Sequence, residues 1–205
     1  MLNIGLILAG YLSGSLMLAK WLPALLFRTD IVTPSDDGNL GVFNAFRHGG
    51  LKCGVPALIG DVMKGFLPTF IAMRNADPTA LIFGLIVAAP VIGHLFPAFT
   101  RFRGGGKGIA VSFGVALGLY PVREAFLLLA GLYIFFSTVA VVDTHLWRSV
   151  VTYNLFALLS LLFLPSGGIR LGCVMIGFLV AGKHVFARGD QPISLHLAWM
   201  KPRKR

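Results

Sequence analysis

Long stretches free of charge alternate with short basic connections along the whole chain. Residues 2–19, 79–100, 125–142 and 149–169 contain no Asp, Glu, Lys or Arg, and residues 53–73 contain only Asp61 and Lys64. Residues 108–122 form a shorter apolar run. Residues 171–182 form another, which reaches Phe186 if Lys183 lays its stem along the apolar surface and keeps its ammonium at the interface. A helix needs about 20 mainly apolar residues to cross a bilayer core. The pattern therefore predicts an all-α, polytopic membrane bundle of about seven transmembrane helices, in one domain over residues 1–205. No internal repeat or low-complexity segment divides it.

Composition narrows the class. Of the 205 residues, 56% are hydrophobic and 13% are charged, against about 45–50% and 25% in soluble domains. A soluble enzyme, a coiled coil and a disordered chain are excluded. The net charge of +10 does not point to nucleic acid, whose binders carry Lys and Arg on a soluble face. Here the cations sit in the connections. Placing the N-terminus outside and the C-terminus inside leaves only Arg74, Arg123 and Arg170 of the 18 Lys and Arg residues outside, as the positive-inside rule asks. Residues 27–52, 101–107 and 143–148 and the tail Lys201-Pro-Arg-Lys-Arg205 then face the cytoplasm. The opening Met-Leu-Asn-Ile lacks the positive start of a signal peptide, so the first apolar stretch is expected to stay as a span. Cys53 and Cys173 match no metal spacing and no disulfide framework. Both are expected as buried thiols.

The cytoplasmic connections hold the polar chemistry. Residues 33–50 are rich in Gly and Asn, and Asn39, Asn44 and Arg47 offer neutral donors and one cation. The second connection, Arg101-Phe-Arg-Gly-Gly-Gly-Lys-Gly108, is sharper. Gly104, Gly105, Gly106 and Gly108 surround Lys107 where a helix begins, so backbone N–H groups and one ammonium form an anion cradle. It is not a Walker A loop, because Arg101 stands where the first glycine belongs and Gly108 where Ser or Thr belongs. Asp61 and Lys64, three apart on one helix face, can pair, and ionisable groups inside spans are costly and usually functional. His94 and His184 stand near the ends of spans, where each could bond a neighbouring carbonyl instead of a substrate. His48, His145 and His196 read as loop or interface residues. Neither a His-Glu-x-x-His zinc motif nor a Gly-x-Ser-x-Gly elbow occurs, and eight acidic residues are few for a carboxylate metal site. Cations, glycines and amides suit the binding of phosphate more than the generation of a nucleophile.

Taken in order, Asp36-Asp-Gly-Asn39, Gly41-Val-Phe-Asn44 with Arg47, Asp61-x-x-Lys-Gly65, His94-Leu-Phe-Pro97 and Gly105-Gly-Lys-Gly108 resemble the motifs of the PlsY acyl-phosphate:glycerol-3-phosphate acyltransferases. Gly14-Ser-Leu16 is similar to that family's opening motif, and the likeness runs from the first span to about Gly114. The resemblance implies a seven-helix bundle in the bacterial inner membrane with its active site at the cytoplasmic face. It implies acyl transfer from acyl phosphate to the 1-hydroxyl of glycerol 3-phosphate, giving lysophosphatidic acid and phosphate. Membrane lipid would surround the protein, and no metal, cofactor or nucleic acid would take part. Matched position by position, Lys107, the amides of residues 104–108 and Ser112 would hold one substrate phosphate, and Arg47 and Lys64 the other. Asn39 and His184 fall in matching motifs. His94 would stabilise the oxygen of the tetrahedral intermediate or hold the acceptor.

Four positions depart from the family pattern. Asp37 stands for a Ser beside Asn39, Phe43 and Val111 stand for Thr residues, and Ala187 stands for the Asn after His184. A carboxylate beside a phosphate site repels its ligand, so Asp37 leaves the acceptor open. The rival readings are a divergent or inactive relative with another acceptor, and a transporter of a phosphorylated anion, whose half-helix termini also gather charge.

Overall fold

The computed structural model describes residues 1–31, 41–186 and 194–199. Among them are eight α-helices: α1 Leu2–Ser15, α2 Leu18–Phe27, α3 Val42–Asn75, α4 Ile82–Leu95, α5 Ile109–Gly118, α6 Glu124–Thr138, α7 His145–Phe163 and α8 Gly167–Phe186. Two short strands accompany them, β1 Ala140–Val142 and β2 Leu195–Leu197. α3, α7, α8 and α4 with the 3-10 turn Ala98–Thr100 behind it are long and apolar enough to cross a bilayer. α1 and α2 together make a fifth such segment, bent by 48° between them, and α5 and α6 are shorter.

Glycine brings these helices together. Lipid tails are as apolar as Leu, so membrane helices associate through van der Waals contact at small residues that let backbones meet. A Cβ on Gly14 of α1 would lie 1.9 Å from Pro90 O of α4, and one on Gly93 of α4 would lie 2.1 Å from Tyr11 O. The same reciprocity joins α3 to α5, where a Cβ on Gly65 would sit 2.4 Å from Val111 O and one on Gly114 2.0 Å from Val62 O. α4 is the centre of the core. Its Phe83, Val87, Val91 and Leu95 are buried in one cluster with Val115 of α5 and Ile169, Cys173, Ile176 and Val180 of α8. Gly168 lies against Phe83 and Gly172 against Val87, while Lys183 reaches Leu95. α4 and α8 therefore run in the same direction and end together. Outward faces carry Leu58, Ile59, Leu161, Leu162 and Phe178, all exposed, as on a surface that meets lipid. Cys53 and Cys173 are buried and free.

Three boundaries differ from the expectation. The first apolar run breaks after Ser15, whose hydroxyl turns back to Tyr11 O at 2.8 Å. α7 ends at Phe163, because Pro165 holds Leu164 extended (φ −88°, ψ 136°). Arg170, expected in a connection, lies inside α8, and its Nη2 and Nε donate to Leu164 O at 2.8 and 3.2 Å. The run 125–142 is helical only to Thr138. Beyond it β1 pairs antiparallel with β2, Val141 opposite His196, a small ribbon beside a mostly helical fold. Asp143 pins that ribbon by accepting from Ser194 Oγ and facing His196 Nδ1 at 3.3 Å.

Candidate active site

The last carbonyls of a helix have no intrahelical partner, and at the end of α4 three different elements supply one. His94 O accepts from Gly106 N at 3.1 Å, Leu95 O from Lys183 Nζ of α8 at 3.1 Å, and Phe96 O from Tyr11 Oη of α1 at 2.8 Å. The Lys183 ammonium also lies 5.0 Å from the centre of the Phe96 ring, a cation–π contact.

The glycine connection is laid on this collar. Gly104 and Gly108 have φ of +64° and +87°, a conformation that costs any residue with a Cβ. A Cβ on Gly105 would meet Leu95 O at 2.1 Å, so the loop touches α4 backbone to backbone. Gly108 then opens α5. Half-buried Lys107 stands between the two turns. Ser112, expected at a phosphate, is buried and donates its hydroxyl to Gly108 O at 2.7 Å inside α5. Its proton serves the helix start. Val111 is fully buried where α5 meets Gly65 of α3, so that departure from the family pattern is a matter of packing.

Lys64 takes a different place from the one expected. An ammonium has three protons, and Lys64 Nζ has three partners: Leu16 O at 2.7 Å, His94 Nδ1 at 2.8 Å and Asp61 Oδ1 at 2.9 Å. Lys64, Asp61 and His94 are all buried. Lys64 is thus held inside the bundle by two hydrogen bonds and one countercharge. The carbonyl released at the α1–α2 break is one of its partners. His94 is likewise not aimed at open space, because its Nε2 edge packs on Gly106, where a Cβ would lie 2.1 Å away.

The open side of the loop is built by other residues. His145, the first residue of α7, is exposed, with its ring 5.7 Å from Phe43 of α3 and 6.2 Å from His184 of α8. Tyr133 Oη lies 3.3 Å from its Nε2. Lys107 acts electrostatically on both His145 and His184. His184 is buried, donates Nδ1–H to Val180 O at 2.8 Å, and leaves Nε2 without a partner among the described residues. Arg47 follows Phe43 by four residues, on the same face of α3, and is exposed, while Asn44 is buried. Asn39, Asp37 and Ala187 lie outside the described residues. The structure thus gathers Lys107, His184, Arg47 and the glycines at one end of the bundle and adds His145. Sequence reasoning missed it, since a single His after Thr144 carries no motif.

Fold and site define a class: a multi-pass membrane protein with a glycine loop and cations gathered at one end of the bundle. The family model described as glycerol-3-phosphate acyltransferase matches residues 4–188. The chain belongs to that family. A glycerol-3-phosphate acyltransferase from Hydrogenobaculum sp. (strain Y04AAS1) is 33% identical over 183 residues, 88% of this chain and 90% of that one. One from Lactococcus lactis subsp. lactis is 36% identical and covers 80% of this chain and 73% of its own. The crystal structure of PlsY, an integral membrane glycerol 3-phosphate acyltransferase, matches in its glycerol 3-phosphate form with a TM-score of 0.73 and 26% identity, over 91% of this chain and 90% of that one. Its lysophosphatidic acid form matches with a TM-score of 0.69 and 27% identity, over 90% and 88%.

Proposed function

We propose that the protein transfers an acyl group from acyl phosphate to the 1-hydroxyl of glycerol 3-phosphate. The observation that carries this reading is the glycine loop on the end of α4, with Lys107 beside His145 and His184, in a chain that matches the acyltransferase family from residue 4 to 188. Lys107 and the loop amides hold one phosphate. Arg47 holds the other, with Asn39 assigned to it by its motif. His184, whose Nδ1–H is committed to Val180 O, has only an acceptor left and takes a hydroxyl of the acceptor rather than its phosphate. The hydroxyl oxygen attacks the acyl carbon, and the bond from that carbon to the phosphate oxygen breaks with its electron pair. The hydroxyl proton passes to a phosphate oxygen. The donor is already activated, so orientation is the main task left to the protein, and it contributes about 7–11 kcal/mol in ideal cases.

The membrane arrangement follows the charges. With the bent α1–α2 pair as one crossing and α5 and α6 as two more, the chain makes seven crossings, N-terminus out and C-terminus in. Arg74 stands at the end of α3, Arg123 caps α6 and Arg170 lies in the first turn of α8, away from the loop. The site then faces the cytoplasm at the bacterial inner membrane.

The deciding experiment supplies labelled acyl phosphate and glycerol 3-phosphate to the purified chain. Equal amounts of lysophosphatidic acid and phosphate are expected. Acylation of a different phosphorylated alcohol would make it a relative with another acceptor. Uptake of a phosphorylated solute into proteoliposomes with no acyl product would make it a transporter.

A further inference from the structure

We infer that Asp61, Lys64 and His94 form a buried positioning chain that sets the glycine loop, and through it Lys107, without touching substrate. The inference rests on the acyl-transfer reading above. Because the Lys64 ammonium donates to His94 Nδ1 across 2.8 Å, that nitrogen presents its lone pair. The proton of the neutral ring is therefore on Nε2. This fixes both the tautomer and the orientation of the ring, as a second partner does for any histidine with two distinct nitrogens. The ring's Nε2 edge then abuts Gly106, where only the absence of a Cβ gives it room. The carbonyl of the same histidine accepts from Gly106 N at 3.1 Å. One residue thus holds Gly106 by ring and by backbone, and the next residue is Lys107.

The other end of the chain explains why a lysine is retained in so apolar a place. Asp61 at 2.9 Å supplies the countercharge that a buried ammonium requires. Leu16 O at 2.7 Å supplies an acceptor left over at the α1–α2 break. Ser13 Oγ of α1 also donates to Lys64 O at 2.9 Å. The bend between α1 and α2, the middle of α3, the end of α4 and the glycine loop are therefore tied through one ammonium and one imidazole. His94 is a positioning residue in this scheme, and Lys64 is its orienting partner.

The test is a double-mutant cycle on kcat in the full-length purified chain, with Gly106→Ala, His94→Asn and the two together. The Asn carbonyl replaces Nδ1 as acceptor for Lys64 but removes the ring edge from Gly106. Gly106→Ala alone is expected to lower kcat at least thirtyfold, and His94→Asn alone about tenfold. In the His94→Asn background the added methyl meets no ring and should cost less than threefold. Losses that simply multiply would overturn the inference. A second measurement stands even where a variant does not fold. The ¹⁵N spectrum of histidine-labelled wild type should show His94 neutral, with Nδ1 bare and Nε2 protonated. A protonated Nδ1 would also overturn it. Wild-type acyl transfer tests the underlying reading separately, so its failure is distinguishable from a failed cycle.

Discussion

The imidazole of His184 lies 6.2 Å from that of His145, centre to centre, with the two planes tilted by 35°. His184 is held by its Nδ1–H on Val180 O, so its buried Nε2 is left as an acceptor without a partner among the described residues, beside a ring that sequence reasoning had set aside. A histidine at the start of α7 thereby joins a site built from the ends of α3 and α8 and the glycine loop.

His145→Ala should therefore raise the KM for glycerol 3-phosphate more than it lowers kcat. A hydrogen bond to a charged group contributes about 1.5–3 kcal/mol, and a change of about 1.4 kcal/mol is tenfold, so the KM should rise roughly tenfold. His145→Phe retains the ring beside Phe43 without its nitrogens and separates stacking from donation. Steady-state kinetics on the three proteins decides. A KM unchanged in both variants would remove His145 from the site.

Lys107→Ala should abolish turnover in a protein that still inserts and folds. The ammonium stands between two glycine turns that no other residue type would adopt easily. Loss of a desolvated charge contact costs about 2–5 kcal/mol. The measurement is product formation, with circular dichroism and thermal melting as controls. Near-normal activity in a folded sample would be incompatible with the assignment.

Gly14→Ala should destabilise the bundle, because its methyl would enter the backbone of α4 at Pro90 O. Overpacking of this kind costs about 1–3 kcal/mol. Gly5→Ala is the control, since a Cβ there meets nothing within 4 Å. Melting in detergent should fall for the first and hold for the second. Equal melting temperatures would refute the close contact.

Asp37→Ser should lower the KM for glycerol 3-phosphate and leave the dependence on acyl phosphate little changed. Its basis is charge alone: a carboxylate near a bound phosphate repels it. Kinetics of the two proteins at one ionic strength would show it. A higher KM in the mutant would mean that Asp37 assists the native acceptor.

What was legible in the chain was whatever hydrocarbon punishes. Charge-free runs gave the long helices, and Gly104 to Gly108 around Lys107 gave the anion loop, since both depend on local residues. The end of α7 was legible too, in Pro165, but attention to charge placed the boundary at Arg170. The spacings Gly10-x-x-x-Gly14 and Gly114-x-x-x-Gly118 carry the signal for close helix contact. The surroundings of Lys64 were hidden for a different reason. Its partners Leu16 and His94 come from 48 and 30 positions away, and no spacing rule within α3 shows them. The β ribbon was hidden in the same way, with Val141 opposite His196.

The collar at the end of α4 also imposes an order of construction. Its first tie, from Tyr11, belongs to a helix made before α4, and its last, from Lys183, to one made well after it. A chain synthesised from its N-terminus therefore inserts most of its crossings with Leu95 O still open. The loop that carries Lys107 gains its full support only when α8 has docked. Nascent and truncated chains ending before Lys183 should lie in the membrane without acylating anything, so competence waits for α8.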